Sequence, residues 1–380
     1  MATKESQVRP YEITIRNLPK WLSYFISGVK WHAAGRIYTP KPVAAIFAVT
    51  HRCNARCLMC SFWKRRDYRK ELSINEIREI FSNPLFNTLE KLIITGGEPL
   101  LREDIVQIAQ TVLESCPKLR RISLRTNGLE PGLVTQRVKE LLVISARSNR
   151  TIMFSVSVSL DGFGAIHDEI RRVPQAFEMV CKTIERLQIL QLETPFYLSS
   201  NCVVQPLNID NLVQLSEFGK NLRLPISFGA LCLTDYFIDD PSQRNAFVLT
   251  PEHYKKLKTV LEHELQPNLL PSDVPFWRDY FSIVSGRKKR FPCSWLDHFI
   301  RIDSDGTLII CKGDNLVQYG NIREKAPDIL WYSEERKLLR NRLKKQVCPS
   351  CPLCCDVAGS LAREFFHYTW FWLKEKSRLR

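Results

Sequence analysis

The sequence predicts an α/β protein: a partial (β/α)6 barrel followed by a cysteine-rich C-terminal extension. Three observations predict it. Six strand-like runs alternate with helical patterns between residues 43 and 232, polar residues gather at the C-terminal ends of those runs, and cysteines group instead of scattering. Repeated strand–helix units imply a parallel sheet with right-handed crossovers. In barrels of this kind chemistry sits at the C-terminal ends of the strands.

The elements follow in order. Val43 to Val49 is an apolar run, and Ser73-Ile74-Asn75-Glu76 is a capping box opening a helix. Lys91 to Thr95 reads as a buried strand, then Arg120–Leu124, Thr151–Ser159, Phe196–Val204 and Pro225–Leu231 as four more. Helical patterns lie between them, at Glu103–Glu114, Gly132–Ala146, Pro174–Leu190 and Ile209–Asn221. The expected divisions are an amphipathic segment over 1–42, the barrel over 43–232, and a bridging region over 233–290. A cysteine-rich domain follows over 291–357, then an aromatic–basic helix over 358–380. The bridging region shows one helical stretch, Pro251 to Glu264, and could cover the open side of the barrel.

The chemistry is declared at Cys53, Cys57 and Cys60, spaced C-x3-C-x2-C directly after the first apolar run. Three thiolates are one short of the four that a fully cysteine-ligated [4Fe–4S] cluster takes, so one iron would stay open. The competing reading is a zinc knuckle, which needs four ligands when structural. No further Cys follows within the turn, although His51 is close by. The second strand ends in Gly96-Gly97-Glu98-Pro99. Glycines there allow close backbone approach to a ligand, and Glu98 adds a carboxylate.

The two motifs, in this order and at these strand ends, resemble those of the radical S-adenosylmethionine (SAM) superfamily, whose core is a partial TIM barrel. The resemblance implies that Cys53, Cys57 and Cys60 hold a [4Fe–4S] cluster whose open iron is chelated by SAM. It implies that Gly96, Gly97, Glu98 and Pro99 cradle the methionyl amine. Met59 stands where an aromatic residue is frequent, and would pack on adenine. Reduction by an external flavodoxin- or ferredoxin-type donor would cleave SAM to methionine and a 5′-deoxyadenosyl radical that takes hydrogen from a substrate C–H.

Polar residues at the remaining strand ends are candidate contacts to SAM: Thr126 and Asn127, Ser157 and Ser159, Asp161, and Asn201. Asn127-Gly128 and Asp161-Gly162 would equally serve as ordinary turns. Cys202 and Cys232, near the ends of strands five and six, are candidates with Asp161 for the catalytic group, and either cysteine could return hydrogen to a substrate radical. Burial as core thiols is the competing reading for the cysteines.

A second group begins at Cys293 and Cys311, which bracket two apolar runs joined at Asp305-Gly306, a hairpin signal. Cys348, Cys351, Cys354 and Cys355 follow. This arrangement resembles the SPASM/twitch extension of radical SAM enzymes, with Gly320-Asn321 and Trp331 in similar places. It implies one auxiliary [4Fe–4S] cluster on Cys293, Cys311 and two of Cys348, Cys351 and Cys354. A zinc ribbon is the alternative.

The chain has 380 residues, 13 cysteines and a net charge of +15. The N-terminus shows no secretory h-region, and no run is long enough to span a bilayer. A reducing cytoplasm is therefore expected. The run Arg336 to Lys345 is best explained as a solvated basic face. Leu18, Trp21, Leu22, Phe25, Ile26 and Val29, and separately Phe365 to Trp372 with following basic residues, form amphipathic ends. They suit either packing on the barrel or a membrane surface. The expected reaction is oxidation, cross-linking or another modification of a peptide or small molecule. The alternatives are a lipid-linked substrate at a membrane and a non-catalytic nucleic-acid binder, which Glu98 in its glycine context disfavours.

Overall fold

In the computed structural model, residues 38–65, 70–265, 273–289, 293, 295–311 and 317–352 are described. Six strands run parallel in chain order: β1 (Ala44–Ala48), β2 (Lys91–Thr95), β3 (Arg121–Thr126), β4 (Met153–Ser159), β5 (Tyr197–Val204) and β6 (Ile226–Ala230). Helices α1 (Ile74–Ser82), α2 (Ile105–Ser115), α3 (Pro131–Arg147), α4 (Ala165–Arg171), α5 (Ala176–Glu193) and α6 (Leu212–Asn221) fall between them. This is the expected partial barrel. The capping box is present: the Ser73 N–H donates to Glu76 Oε2 at 2.7 Å, and the Glu76 N–H donates to Ser73 Oγ at 3.4 Å.

Alternation gives each strand two faces. On β4, Phe154, Val156 and Val158 are buried, and Val158 and Val180 of α5 both lie beside Gly128. The opposite face carries Ser155, Ser157 and Ser159, all half-buried. Register sets Ser157 beside Ser199, and Ser159 beside Asn201. Asn201 in turn stands beside Ser227. The inner face of the open barrel is thus polar near its carboxyl end.

The sheet does not stop at β1. Strand β7 (Phe299–Ile302) pairs parallel to β1 on its free side, with Ile46 beside Arg301. The predicted hairpin follows: β8 (Thr307–Cys311) returns antiparallel through Gly306, whose φ of +88° suits glycine. A further strand, β9 (Val317–Asn321), completes one sheet in the order β6-β5-β4-β3-β2-β1-β7-β8-β9. Gly320 suits its place there, because its φ of +138° would strain any other residue. Trp331 is buried and donates from Nε1 to the Pro40 carbonyl at 2.9 Å.

Two expectations need correction. The bridging region holds more than one helix. α7 (Pro251–Thr259) ends before Glu264, where the chain widens to a π turn, and α8 (Asp273–Val284) follows. Pro275 obscures α8 in the sequence, yet proline is tolerated in a first helical turn. Asp273 closes the outer edge of β6: its carboxylate accepts from Ser227 Oγ and from the Phe228 N–H, each at 3.1 Å. Trp277 Nε1 donates to the Phe228 carbonyl at 3.1 Å. The basic run Arg336–Lys345 is not simply a solvated face. Most of α9 (Glu334–Arg342) and the turn after it is exposed, Lys344 included, but Arg336 is buried and Arg340 half-buried. Arg336 is 2% exposed, stacks on Trp331 and donates to the Leu296 carbonyl. Arg340 and Lys344 both grip Asp297, at 2.5 and 2.8 Å.

Among the described residues no helix is long and apolar enough to cross a membrane. Both amphipathic ends, Leu18–Val29 and Phe365–Trp372, lie outside the described residues, as do Cys354 and Cys355.

Asp273→Ala strips the carboxylate from a buried strand-edge N–H. It should lower unfolding stability by about 1.5–3 kcal/mol, read by urea denaturation; an unchanged midpoint would show that α8 does not seal the sheet.

Candidate active site

The three-cysteine loop is launched by backbone pairing that continues past the ends of β1 and β2. The Val49 N–H donates to the Thr95 carbonyl at 2.9 Å, the Gly97 N–H to Thr50 at 2.8 Å, and the Glu98 N–H to Arg52 at 2.7 Å. A Cβ on Gly96 would lie 2.3 Å from the Thr50 carbonyl oxygen, and one on Gly97 2.2 Å from that of Arg52. The close approach that these glycines permit is to the cysteine loop itself. Pro99 then opens a short 3-10 turn, with Glu98 capping it through the Leu100 N–H at 3.2 Å.

Four other elements hold the loop. The N–H groups of Arg56 and Leu58 donate to the carbonyls of Arg171 and Ile170 at the end of α4, at 3.1 and 2.9 Å. The Ser61 N–H donates to the Phe237 carbonyl at 2.6 Å, and Gln243 Nε2 to that of Leu58 at 2.5 Å, so the bridging region grips the far side. Asn127 at the end of β3 donates from Nδ2 to Asn54 Oδ1 at 2.7 Å. His51 Nε2 and Asp303 Oδ1, at the hairpin turn, are 2.7 Å apart.

The thiols meet an unusual environment. Cys57 is buried, while Cys53 and Cys60 are half-buried. Burial, and then the neighbouring Cys57, push the thiols of Cys53 and Cys60 up to about 12. Two donors already point at sulfur: Arg171 Nη1 lies 3.5 Å from Cys57 Sγ, and Asn127 Nδ2 lies 3.8 Å from Cys53 Sγ. Donors aimed at sulfur favour thiolate, and the negative charge of three thiolates needs cationic company. Arg171 supplies it. It is nearly fully buried, and its other terminal nitrogen lies 2.6 Å from Asp161 Oδ2. Among the described residues no three His, Cys, Asp or Glu side chains converge as they would on a single metal ion. A [4Fe–4S] cluster asks something different, because its thiolates bind separate irons. The donor set fits such a cluster.

Glu98 is 2% exposed, and burial pushes its carboxyl up to about 7. It accepts from Thr126 Oγ1 at 3.0 Å and from the Asn127 N–H at 2.6 Å, which locks the end of β3 to the end of β2. Thr126 therefore serves Glu98. Asp161 is fully buried against Arg171 and accepts from the Val203 N–H at 2.8 Å. Burial pushes its carboxyl up, against the opposing pull of Arg171.

Ser159 and Asn201 are brought side by side on the polar inner face. Met59 packs into the hydrophobic core. Cys202 is drawn away: alternation puts it on the face opposite Asn201, fully buried, with Asn208 Nδ2 at 3.6 Å from its sulfur. Cys232 is buried beside Thr234 Oγ1. Sequence reasoning missed Arg171, Asn54 and Asp303. Their significance depends on segments 73 to 252 residues apart in the chain, so no local pattern announces them.

At the second group, Cys311 ends β8 and pairs with Val317. Cys348 and Cys351 share a 3-10 turn, the Cys351 N–H donating to the Cys348 carbonyl at 3.3 Å. Burial, and then Cys351, push the Cys348 thiol up. The Lys289 N–H donates to the Pro349 carbonyl at 2.8 Å, which ties this turn to the chain just before Cys293.

A family profile described as the Radical SAM superfamily matches residues 47–219, and one described as an iron–sulfur cluster-binding domain, SPASM, matches 293–355. The chain belongs to the radical SAM superfamily and carries a SPASM domain. It is accordingly an enzyme with a SAM-binding [4Fe–4S] cluster and further iron–sulfur ligation in the SPASM domain. An AdoMet-dependent heme synthase of Methanosarcina barkeri is 26% identical over 86% of this chain and 93% of its own length. Among solved structures, anSMEcpe with bound AdoMet superposes with a TM-score of 0.58 at 17% identity, covering 89% of this chain and 99% of that one. Streptococcus suis SuiB bound to precursor peptide SuiA gives 0.56 at 16% identity, covering 93% and 78%. These superpositions show the fold.

Gly97→Ala places a methyl group against the Arg52 carbonyl. It should cost about 1–3 kcal/mol in stability and reduce iron retained on reconstitution; wild-type iron content would contradict the packing role.

Proposed function

We propose that Cys53, Cys57 and Cys60 hold the SAM-binding cluster of this radical SAM enzyme, and that it oxidatively modifies a peptide. The observation that carries the reading is three free thiols on one loop clamped at the carboxyl ends of β1 and β2, beside a polar inner face. When bound there, the cluster supplies the electron that cleaves SAM and yields the hydrogen-abstracting 5′-deoxyadenosyl radical. The chain's own residues bind and orient. Gly96, Gly97 and Glu98 fix the loop, and Ser159 and Asn201 offer hydroxyl and amide groups to the ribose or methionyl part of SAM. Arg171 offsets thiolate charge, and the gripping bridging region limits water. Cys293, Cys311, Cys348 and Cys351, with Cys354 as the alternative to one of the last two, are the proposed auxiliary ligands. An external flavodoxin- or ferredoxin-type donor supplies electrons.

A peptide substrate is supported by the shared architecture with SuiB, whose structure contains its precursor peptide. A second reading has a specific observation behind it. The match to an AdoMet-dependent heme synthase runs through both domains, and a net charge of +15 suits a carboxylate-rich small molecule.

Anaerobic reconstitution with iron and sulfide, followed by dithionite and SAM, should yield methionine and 5′-deoxyadenosine, and Cys57→Ala should abolish both. Peptides encoded beside the gene should lose the mass of two hydrogens. Modification of a carboxylated tetrapyrrole with no change in any such peptide would favour the second reading, and no 5′-deoxyadenosine from iron-loaded protein would overturn both.

A further inference from the structure

The hairpin of the SPASM domain reaches the cysteine loop at an unexpected place. Its turn, Asp303 to Gly306, is closed by the Gly306 N–H on the Asp303 carbonyl at 3.0 Å and by the Asp303 N–H on that of Thr307 at 2.9 Å. Asp303 is 6% exposed. One carboxylate oxygen meets His51 Nε2 at 2.7 Å and the Ser304 N–H at 2.9 Å. The other faces Tyr236 Oη at 3.4 Å, and that hydroxyl accepts from Arg301 Nη2 at 2.7 Å. His51 lies two residues before Cys53 and also packs on Phe62, two residues after Cys60, with ring centroids 4.9 Å apart.

The same turn holds the chain beyond the loop. The Leu72 N–H donates to the Ser304 carbonyl at 2.8 Å. Arg323, just past β9, donates to the Lys70 carbonyl at 2.7 Å, the Asp305 carbonyl at 3.2 Å and Glu76 Oε1 at 2.6 Å. Both flanks of the cysteine loop therefore rest on one turn of the C-terminal domain. We infer that this turn is a latch for the first cluster, with Asp303 as a positioning residue that acts through His51. A buried carboxylate on an imidazole fixes the ring's tautomer and orientation, as it does behind metal-bound histidines. Here the fixed ring sets where the loop leaves β1. The inference rests on Cys53, Cys57 and Cys60 being the ligands, and it holds whichever substrate is modified.

The test follows the part of the reduced protein's EPR signal that changes on SAM addition, because that part reports the SAM-binding cluster alone. Full-length reconstituted protein is exposed to an iron chelator, and the decay of this part is timed. Asp303→Ala should lose it about tenfold faster than wild type, the scale of one buried hydrogen bond. Asp303→Asn, which keeps an acceptor for His51, should recover most of the difference. His51→Ala should accelerate loss as well, and the double variant with Asp303→Ala should be no faster than either alone, the mark of a coupled pair. Glu334→Ala, at an exposed α9 position outside the turn, should decay as wild type does. Wild-type decay in Asp303→Ala, or additive effects in the double variant, would overturn the latch. A SAM-responsive signal surviving in Cys57→Ala would overturn the ligand assignment, and the latch with it.

Discussion

The site depends on one constraint: a loop carrying three thiols has no fold of its own and must be held from outside. The hold begins with backbone. Gly97 and Glu98 donate to Thr50 and Arg52, continuing the β1–β2 ladder beyond both strands. That ladder needs side-chain-free positions, because any Cβ on Gly96 or Gly97 would sit within van der Waals contact of a carbonyl oxygen. A motif readily taken for a ligand cradle is first a seat for the cysteine loop.

From that seat the rest of the architecture follows. The end of β3 reaches Glu98 through Thr126 and the Asn127 amide, and reaches the loop through Asn127 and Asn54. The end of α4 meets the loop backbone, and its Arg171 sits between Cys57 and Asp161. Burying a guanidinium is costly unless it is paired, and Asp161 pairs it. The arrangement places fixed positive charge beside sulfur before any iron arrives. It is a form of preorganisation that spares the cofactor's arrival the work of reorienting its surroundings.

The sequence reveals much of this fold because the informative signals are local. Alternation, capping and the Asp305-Gly306 turn each involve neighbours in the chain, and they locate six barrel strands, α1 and the hairpin. The cysteine spacing and Gly96-Gly97-Glu98-Pro99 likewise need no tertiary knowledge. Other features require it. Nothing near Arg171 tells that its partners are Cys57 and Asp161. Cys202 resembles a strand-end thiol until register shows it facing away from Asn201. The inward turn of Arg336 and Arg340 is hidden because a basic residue in a charged run reads as solvated until Trp331 and Asp297 are placed opposite. That β7 joins the barrel sheet beside β1 is a long-range pairing no periodicity encodes.

The central claim is that this loop presents a three-cysteine cluster with one iron open to SAM. The most direct measurement is electron–nuclear double resonance on the reduced protein with SAM carrying 15N at its amine. Strong coupling of that nitrogen to the cluster is predicted in the wild type, with loss of the coupling in Cys57→Ser. An intact reduced cluster showing no coupling to the amine nitrogen would contradict the account.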